Sequence, residues 1–317
     1  MSGFRRPPSL LLTVLVLLLG ATACATRTPS PAPAAPVEDP AAAFPAQIRM
    51  AGQEPVTLPQ QPKHIVSLSP TATESLYAVG AGEQVAAVDQ FSDFPARTPR
   101  TDLNGLTSDA AAVATRNPDL VIAPEGADKL VEGLRALEVP VLVTPTPAGL
   151  DEAYGQIETL GQATGHGRQA REVTDRMRAD IAEIVAKTPK PPAPLSYYHE
   201  VSPDFYSATS QSFVGGLYGL FGLRNIADEG VPAGAKFPQL AQERILQADP
   251  DLIFLADTKC CGTTPESAGE RPGWDTLTAV REQQVVALDD NVAGRWGPRV
   301  VDLVRRISES VTRAQQS

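Results

Sequence analysis

Residues 117–124 read Asn-Pro-Asp-Leu-Val-Ile-Ala-Pro, and residues 249–256 repeat this pattern as Asp-Pro-Asp-Leu-Ile-Phe-Leu-Ala. In each copy a helical pattern ends at a proline, which lacks the N–H that continues a helix. The short apolar run that follows each proline predicts a buried strand. The repeat therefore predicts two similar α/β lobes in one chain, with a cleft between them in which a small molecule can bind.

Strands and helices alternate around the repeat. In the first half of the chain, strands are predicted at residues 64–68, 85–88, 120–123 and 139–143, with helical patterns between them. Such alternation is typical of a parallel sheet with helices on its faces. The alternation restarts at residue 195, which is where the second lobe is expected to begin its sheet.

A long helix is predicted between the two halves. Residues 168–187 contain neither proline nor glycine, and their apolar side chains recur near helical spacing. At about 1.5 Å per residue this helix is roughly 30 Å long, the width of a small domain. We therefore predict an N-terminal lobe at residues 63–165, a connecting helix at 166–190 and a C-terminal lobe at 191–317.

The N-terminus predicts export. Arg5 and Arg6 precede an apolar stretch at residues 10–19, which is too short to span a bilayer and is typical of a signal peptide. Small residues then lead to Cys24, and this arrangement resembles a bacterial lipobox. The resemblance implies cleavage of residues 1–24, acylation of Cys24, and anchoring to the extracytoplasmic face of the cell membrane. An ordinary secretory signal with a chance cysteine is the alternative.

Composition limits the partners. Residues 25–62 are rich in proline and alanine, which predicts an extended tether between the membrane and the folded domain, with a short strand or hairpin at residues 47–59 as an alternative for its last part. The formal net charge of −10 argues against a nucleic-acid partner. We expect a monomer.

Several segments together carry a family resemblance. Residues 65–74 read Ile-Val-Ser-Leu-Ser-Pro-Thr-Ala-Thr-Glu, residues 91–95 read Phe-Ser-Asp-Phe-Pro, residues 237–240 read Phe-Pro-Gln-Leu, and residues 295–299 read Arg-Trp-Gly-Pro-Arg. With the repeated Pro-Asp-Leu strands, these segments resemble the substrate-binding proteins of the cobalamin and ferric-siderophore uptake family. The resemblance covers roughly residues 63–312.

The resemblance implies a fold and a role. It implies two Rossmann-like lobes joined by a single long rigid helix, with a ligand cleft between the lobes and little closure. It also implies delivery of a metal chelate to the permease of an ABC importer. Within the first motif, Thr71 and Glu74 have the spacing of a helix capping box.

Candidate ligand residues lie where the predicted strands end, because ligands of open α/β sheets bind beyond the carboxyl ends of the strands. The predicted ligand-binding residues are Phe91, Glu125, His199, Phe237, Arg295 and Trp296. The three aromatic side chains offer flat apolar contacts to a large chelate, although core packing is the alternative. The fork-shaped guanidinium of Arg295 is suited to the anionic oxygens of a siderophore, or to an acidic residue of the protein itself.

Histidine is too scarce for a bare-metal receptor. The chain has three histidines in all, whereas a metal-ion receptor needs several histidine and carboxylate ligands together. His199 is expected either to reach the iron or its chelate or to serve as a hydrogen-bonding residue. We predict no resident metal and no cofactor apart from the transported ligand.

Cys260 and Cys261 are adjacent and follow a predicted strand at the lip of the cleft. Free thiols rarely persist outside the cytoplasm, and with Cys24 acylated these two cysteines have only each other as partners. We therefore predict a vicinal disulfide, either as a structural staple or as a contact to the ligand. A thiol-redox enzyme usually shows two cysteines separated by two residues.

The family resemblance also implies permease docking. Its members commonly present one acidic residue on each lobe to arginines of the permease. Glu243 occupies the matching place in the C-terminal lobe. The same offset in the N-terminal lobe falls on Ala111, so Asp109 is the candidate there. Acidic residues at these places also suit the helix dipole, which is the alternative explanation.

The sequence thus predicts an extracytoplasmic, lipid-anchored binding protein that captures a ferric siderophore and delivers it to an ABC permease. Cobalamin and haem are the alternative ligands. A thiol-redox protein and a cell-envelope interaction protein are the alternatives from other classes. We predict no enzyme, because the sequence offers no Ser-His-Asp set, phosphate-binding glycine loop or metal-ligand cluster.

Overall fold

The structure is a computed structural model, and it describes residues 44–316. The predicted signal peptide, the lipidation site Cys24 and residues 25–43 of the predicted tether lie outside the described residues. Among residues 44–316, no helix is both long enough and apolar enough to cross a membrane.

The described chain alternates short strands with helices. The strands are β1 (Ala46–Ile48), β2 (Val56–Leu58), β3 (Ile65–Ser67), β4 (Val85–Val88), β5 (Leu120–Pro124), β6 (Val141–Thr144), β7 (Ser196–Ser202), β8 (Tyr206–Ser207), β9 (Arg224–Asn225), β10 (Leu252–Leu255) and β11 (Val285–Ala287). The helices are α1 (Pro70–Ala78), α2 (Ala110–Ala114), α3 (Asp128–Ala136), α4 (Leu150–Thr164), α5 (Gly167–Lys187), α6 (Phe213–Gly219), α7 (Gln242–Ala248), α8 (Thr258–Cys261), α9 (Pro265–Gly269), α10 (Thr278–Arg281), α11 (Asp290–Ala293) and α12 (Val300–Ala314).

The N-terminal lobe is built on a parallel sheet in the order β4-β3-β5-β6. Its strands are buried on both faces. Ile65 and Leu120 join one apolar cluster, whereas Val66 and Val121 join another on the opposite side. Burial on both faces explains why these strands are continuous apolar runs rather than alternating ones.

The C-terminal lobe repeats this arrangement with additions. Its sheet has the order β11-β10-β7-β8, and β9 also pairs with β7. In both lobes the first strand, β3 or β7, pairs in parallel with the Pro-Asp-Leu strand, β5 or β10. The short β8 runs antiparallel to β7. The predicted pair of α/β lobes is confirmed.

Both copies of the repeat have a left-handed residue directly before the proline. Asn117 and Asp249 both adopt left-handed backbone conformations, with φ of 49° and 39°. Asparagine and aspartate tolerate this conformation better than other residues with a side chain. The proline that follows then prevents any return to helix, so the chain leaves the helix and enters the sheet at the same point in both lobes.

The aspartate of each repeat fastens a neighbouring strand. Asp119 accepts hydrogen bonds from the backbone N–H groups of Lys63 and His64, at 2.7 and 3.0 Å. Asp251 accepts the N–H and the hydroxyl of Ser196, both at 2.7 Å. In each lobe the aspartate therefore aligns the beginning of the central strand with the strand that the repeat itself forms.

The predicted connecting helix is present as α5, which runs from Gly167 to Lys187. Its buried face includes Val173, Met177 and Ile181, at helical spacing. This face packs against α4 of the N-terminal lobe and α12 of the C-terminal lobe. A single helix thus lies against both lobes, as the sequence predicted.

The structure corrects the extent of the tether. β1 and β2 pair as an antiparallel hairpin inside the stretch predicted to be extended. Ile48, Met50 and Leu58 are almost fully buried in the same apolar cluster as β3 and α4. The folded domain therefore begins before residue 62, and the alternative of a short strand or hairpin at residues 47–59 is the one that the structure contains.

Candidate ligand-binding cleft

A cavity of about 130 Å³ opens where the lobes meet. Thr146, which follows β6, lines it from the N-terminal lobe. Side chains of the C-terminal lobe complete the wall: His199, Phe237, Lys236, Asp290 and Trp296. A cavity of this size holds about four water molecules, since each occupies about 30 Å³ in the liquid. A larger ligand must therefore also contact the open mouth.

Two exposed phenylalanines belong to this region, one on each lobe. Phe91 follows β4 and is 55% exposed, and Phe237 lines the cavity and is 53% exposed. A large apolar ring that remains in water marks a surface on which an apolar partner binds favourably. The predicted aromatic contacts are thus available to a ligand, and their role as ligand-binding residues stays a prediction.

Trp296 is held at the boundary between the lobes. Its indole N–H donates to Oε1 of Gln156 in α4, at 3.0 Å. The amide of Gln156 in turn donates to the carbonyl oxygen of Pro145, at 2.8 Å. The ring also contacts Phe213 edge-on. A residue of the C-terminal lobe is therefore oriented by a helix of the N-terminal lobe.

His199 forms part of the cavity floor. It lies within β7 and is 2% exposed, and burial lowers its pKa to about 4, so the imidazole is neutral at physiological pH. Nδ1 lies 2.8 Å from the hydroxyl of Tyr218, which fixes the ring. Within residues 44–316, no side chain or backbone group hydrogen-bonds Nε2. The cavity is therefore the place where Nε2 can find a partner.

Glu125 stays ionised at the rim of the cleft. The backbone N–H of Thr146 donates to its carboxylate at 3.0 Å. This hydrogen bond is the main reason why the pKa of Glu125 is lowered, and the positive charge of Lys236 adds to the effect. Glu125 and Lys236 belong to different lobes, so the rim carries opposite charges on its two sides.

Arg295 has protein partners in place of the predicted anionic ligand. Its Nη1 donates to Glu74 at 2.8 Å and to Asp93 at 3.0 Å, and its Nη2 donates to the carbonyl oxygen of Phe91 at 2.9 Å. The side chain is 10% exposed. A siderophore would have to break these bonds to bind the guanidinium, so the acidic-residue alternative is the one that the structure contains.

Sequence reasoning missed the role of Glu74. The helix α1 is capped by Ser69, whose hydroxyl accepts the N–H of Ala72, so the predicted capping box of Thr71 and Glu74 is wrong. Glu74 points instead towards the C-terminal lobe and accepts hydrogen bonds from two arginines. The quoted motifs contain two acids, Glu74 and Asp93, and two arginines at positions 295 and 299. No local sequence pattern indicates that these acids and arginines pair.

The predicted vicinal disulfide joins Cys260 and Cys261 at the end of α8. Both residues are exposed. The backbone N–H groups of Lys259 and Cys260 donate to the carboxylate of Asp290, at 3.0 and 2.8 Å. Because Asp290 lines the cavity, the disulfide turn lies one residue away from the ligand cleft. Whether it also contacts the ligand stays a prediction.

The predicted docking acids are both exposed at helix starts. Glu243 lies in the first turn of α7, and Asp109 is the N-cap of α2, where its carboxylate accepts the N–H of Ala111 at 3.0 Å. Each helix precedes a parallel strand, so its N-terminus lies at the cleft edge of the sheet. Asp128, in the first turn of α3, also lies at this edge and was missed.

Across residues 44–316, histidine, cysteine, aspartate and glutamate side chains form no group of three arranged to hold a metal ion.

Comparison with known proteins places the chain in a family. Residues 65–292 match the model of the periplasmic binding protein family. The chain is 28% identical to an uncharacterized ABC transporter substrate-binding lipoprotein, YvrC, of Bacillus subtilis, over 84% of this chain and 86% of the relative. It is also 28% identical to a cobalamin-binding protein of Halobacterium salinarum, over 86% and 75% of the two chains.

A solved structure shows the same architecture. The periplasmic heme-binding protein RhuT from Roseiflexus sp. RS-1, in its apo form, superposes with a TM-score of 0.71 at 26% identity. The match covers 80% of this chain and all of RhuT, 100% of its length. With two α/β lobes, a helix that contacts both and a cleft between them, the chain belongs to the periplasmic binding protein family.

Proposed function

We propose that the protein is a lipid-anchored, extracytoplasmic substrate-binding protein of an ABC importer, and that its ligand is a corrinoid of the cobalamin class. The observation that carries this proposal is the cleft itself. Exposed rings from both lobes, Phe91 and Phe237, flank a cavity whose floor is the neutral His199. A flat, bulky and largely uncharged ligand is complementary to such a site.

Charge favours a corrinoid over a ferric siderophore. The siderophore prediction depended on Arg295, and its guanidinium is occupied by Glu74, Asp93 and a backbone carbonyl. Of the described residues that line the cavity, Lys236 alone carries a positive charge. The periphery of a corrinoid consists largely of neutral amides, which need hydrogen bonds more than counter-charges. The relative named as a cobalamin-binding protein supports the same choice.

Haem is the second candidate, and His199 is the observation that favours it. Its side chain lines the cavity and its imidazole is neutral, which is the state in which imidazole binds a metal. The solved structure of a heme-binding protein with the same architecture supports this alternative. Haem carries two carboxylates, however, and Lys236 offers a counter-charge to only one of them.

A single-tryptophan variant tests the ligand class. The chain has two tryptophans, and Trp274 is fully buried in the C-terminal lobe. The variant Trp274→Phe leaves Trp296 as the only indole, at the cavity wall. We expect cyanocobalamin to quench its fluorescence saturably, at lower concentrations than haemin or a ferric hydroxamate siderophore. Quenching by the siderophore alone would contradict the corrinoid proposal, and quenching by none would contradict transport of a chelate.

A binding role also accounts for the reported relatives, which are named as substrate-binding, cobalamin-binding and heme-binding proteins rather than as enzymes. Membrane attachment through Cys24 is tested separately from binding. We expect metabolic labelling with palmitate to mark the wild-type protein, and Cys24→Ser to release an unlabelled protein from the membrane fraction. Unchanged labelling of Cys24→Ser would contradict the anchor.

A further inference from the structure

Two of the family-like motifs contact each other across the lobes. Glu74, in α1 of the N-terminal lobe, is 2% exposed at its side chain and accepts Arg295 Nη1 at 2.8 Å. Arg299 binds the same carboxylate with two nitrogens, Nε at 2.9 Å and Nη2 at 2.5 Å. Both arginines belong to the C-terminal lobe. One buried carboxylate therefore joins two cations from the opposite lobe.

A second acid extends the contact. Asp93 accepts Arg295 Nη1 at 3.0 Å and Nδ2 of Asn291 at 2.7 Å. The guanidinium of Arg299 also lies over the ring of Phe94, with its carbon 4.3 Å from the ring centre. We call Glu74, Asp93, Asn291, Arg295 and Arg299 the inter-lobe latch.

The latch is balanced in charge and well hydrogen-bonded. The two carboxylates of Glu74 and Asp93 face the two guanidiniums of Arg295 and Arg299. Burying charges is costly, and such a cluster persists only where its geometry satisfies most donors and acceptors, as it does here. Removing one member leaves an unpaired charge in a place with little water. The latch therefore resists separation of the lobes more strongly than an exposed ion pair does.

The latch also reaches both walls of the cleft. Arg295 holds the backbone carbonyl of Phe91, whose ring lies exposed on the N-terminal lobe. Its neighbour Trp296 lines the cavity and is bonded to Gln156. A change in the latch thus moves a ligand-facing ring on each side.

We infer that the inter-lobe latch fixes the width of the cleft, so that the protein selects its ligand by size without closing around it. Glu74 and Arg299 are positioning residues in this arrangement, because they act on the ligand through Arg295, Phe91 and Trp296. The helix α5 already connects the lobes, and one connection alone permits rotation. The latch and the hydrogen bond between Trp296 and Gln156 are further connections between the lobes, and together they resist that rotation.

Distance measurement between the lobes tests the inference without any ligand. Spin labels on ketone-bearing amino acids at positions 137 and 282, both exposed and one in each lobe, leave the native cysteines untouched. We expect one narrow distance distribution for the wild-type mature protein. The double variant Glu74→Gln with Arg299→Gln keeps the side-chain volumes similar and should broaden or shift the distribution. The milder Asp93→Asn should do so to a smaller extent.

A matched control removes a carboxylate and a guanidinium that pair with each other within one lobe. Asp302 and Arg305 form an exposed pair at 2.7 Å on α12, and Asp302→Asn with Arg305→Gln should leave the distribution unchanged. Wild-type distributions in both latch variants would overturn the inference. If the double variant does not fold, as judged by circular dichroism, Asp93→Asn decides, since Asp93 is more exposed and its replacement is nearly isosteric.

Ligand discrimination gives a second readout, which rests on the proposed function. We expect the wild-type protein to bind cyanocobalamin and the smaller cobinamide with different affinities, and the latch variants to reduce that ratio about threefold or more. An unchanged ratio would overturn the inference about size selection. If neither corrinoid binds the wild-type protein, the proposed ligand is wrong, and the spin-label distances still decide whether the latch holds the lobes.

Discussion

The two lobes share a frame and differ in what they bury next to the cleft. In the N-terminal lobe, a network of buried hydroxyls lies beside the central strand. Thr73 donates to Ser67 at 2.8 Å and contacts Ser92 at 2.9 Å. In the C-terminal lobe, the central strand buries an ion pair instead, since Arg271 binds both carboxylate oxygens of Glu200 at 2.6 Å.

This difference assigns separate roles to the halves of a repeated fold. A neutral hydroxyl network can pack a lobe without demanding a particular charge state. The ion pair of Glu200 and Arg271 lies beside a second buried acid, Asp257, and burial raises the pKa of Glu200 despite its arginine partner. The C-terminal lobe also supplies His199 and most of the cavity wall. The lobes thus share a scaffold, while His199 and the buried pair of Glu200 and Arg271 lie in the C-terminal lobe.

The largest expected difference between the lobes concerns the permease. Glu243 is an exposed acid in the first turn of α7, whereas the carboxylate of Asp109 already caps α2. We expect Glu243→Arg to reduce corrinoid uptake at least about 100-fold, because it puts a like charge against the arginines of the permease. Ligand affinity, measured by calorimetry, should not change.

The N-terminal counterpart sharpens this prediction. Asp109→Arg should reduce uptake less than Glu243→Arg, and Asp128→Arg tests the acid at the same edge of the lobe. If Asp109→Arg and Asp128→Arg both leave uptake intact, docking depends on the C-terminal lobe alone. A parallel loss of ligand affinity in Glu243→Arg would contradict its assignment to docking.

Stability should also differ between the lobes. Arg271→Ala removes the partner of the fully buried Glu200 and should lower the free energy of unfolding by about 3–5 kcal/mol. Thr73→Val removes a neutral hydrogen-bonding group of similar shape and should cost only about 1 kcal/mol. Urea denaturation of both variants measures these values. Equal losses would contradict the expected difference between the hydroxyl network and the ion pair.

His199 makes the stability of its lobe depend on pH. Its pKa is about 4 in the folded protein, below the unperturbed 6.5, so the unfolded chain binds more protons between these values. Stability should be full above pH 6.5 and should fall by about 3 kcal/mol as the pH decreases to 4. His199→Gln should remove this component of the pH profile. Persistence of the full pH dependence in that variant would assign it to other groups.

Phe91 and Phe237, one on each lobe, allow the contributions of the two lobes to ligand binding to be compared. Phe237→Ala and Phe91→Ala should each weaken cyanocobalamin binding about tenfold, which corresponds to about 1.4 kcal/mol. Leu137→Ala is the matched control, since Leu137 is 52% exposed at the end of α3, away from the cleft edge. Weaker binding in Phe237→Ala but not in Phe91→Ala would show that the C-terminal lobe alone supplies this binding energy.

The smallest expected effect concerns the aspartate of each Pro-Asp-Leu repeat. Asp119 and Asp251 make the same connection in their respective lobes, so alanine at either position should cost about 1 kcal/mol in the free energy of unfolding. Thermal unfolding of the two variants compares them directly. A loss in one lobe that is several times the other would contradict the equivalence of the repeats.

Local patterns were sufficient to predict the frame. The proline after each helix, the apolar strand behind it and the uninterrupted helix at residues 168–187 are all set by near neighbours in the sequence. The predicted cleft edge followed from strand direction, and it brought Phe237, His199 and Trp296 to one cavity. These features depend on backbone propensity and periodicity, which a single sequence contains.

The latch was not predictable in this way, and the hairpin was predicted only as an alternative. Glu74 and Arg299 are far apart in the chain, and nothing near either residue indicates the other. The sequence predicts that Arg295 binds an anionic group, and it does, but this group is the carboxylate of Glu74 rather than a ligand. The hairpin was no more than an alternative in the sequence, because Ile48 and Leu58 lie among prolines, whose composition indicates an extended chain.

Hydrogen exchange with and without cyanocobalamin tests the central claim most directly, namely that a corrinoid binds between the two lobes. The account predicts slower amide exchange on binding in residues 89–95 and 144–148 of the N-terminal lobe, together with residues 235–240 and 290–296 of the C-terminal lobe. Residues 131–139, at the far edge, should exchange at an unchanged rate. Protection confined to one lobe, or no protection at either cleft wall, would contradict the account.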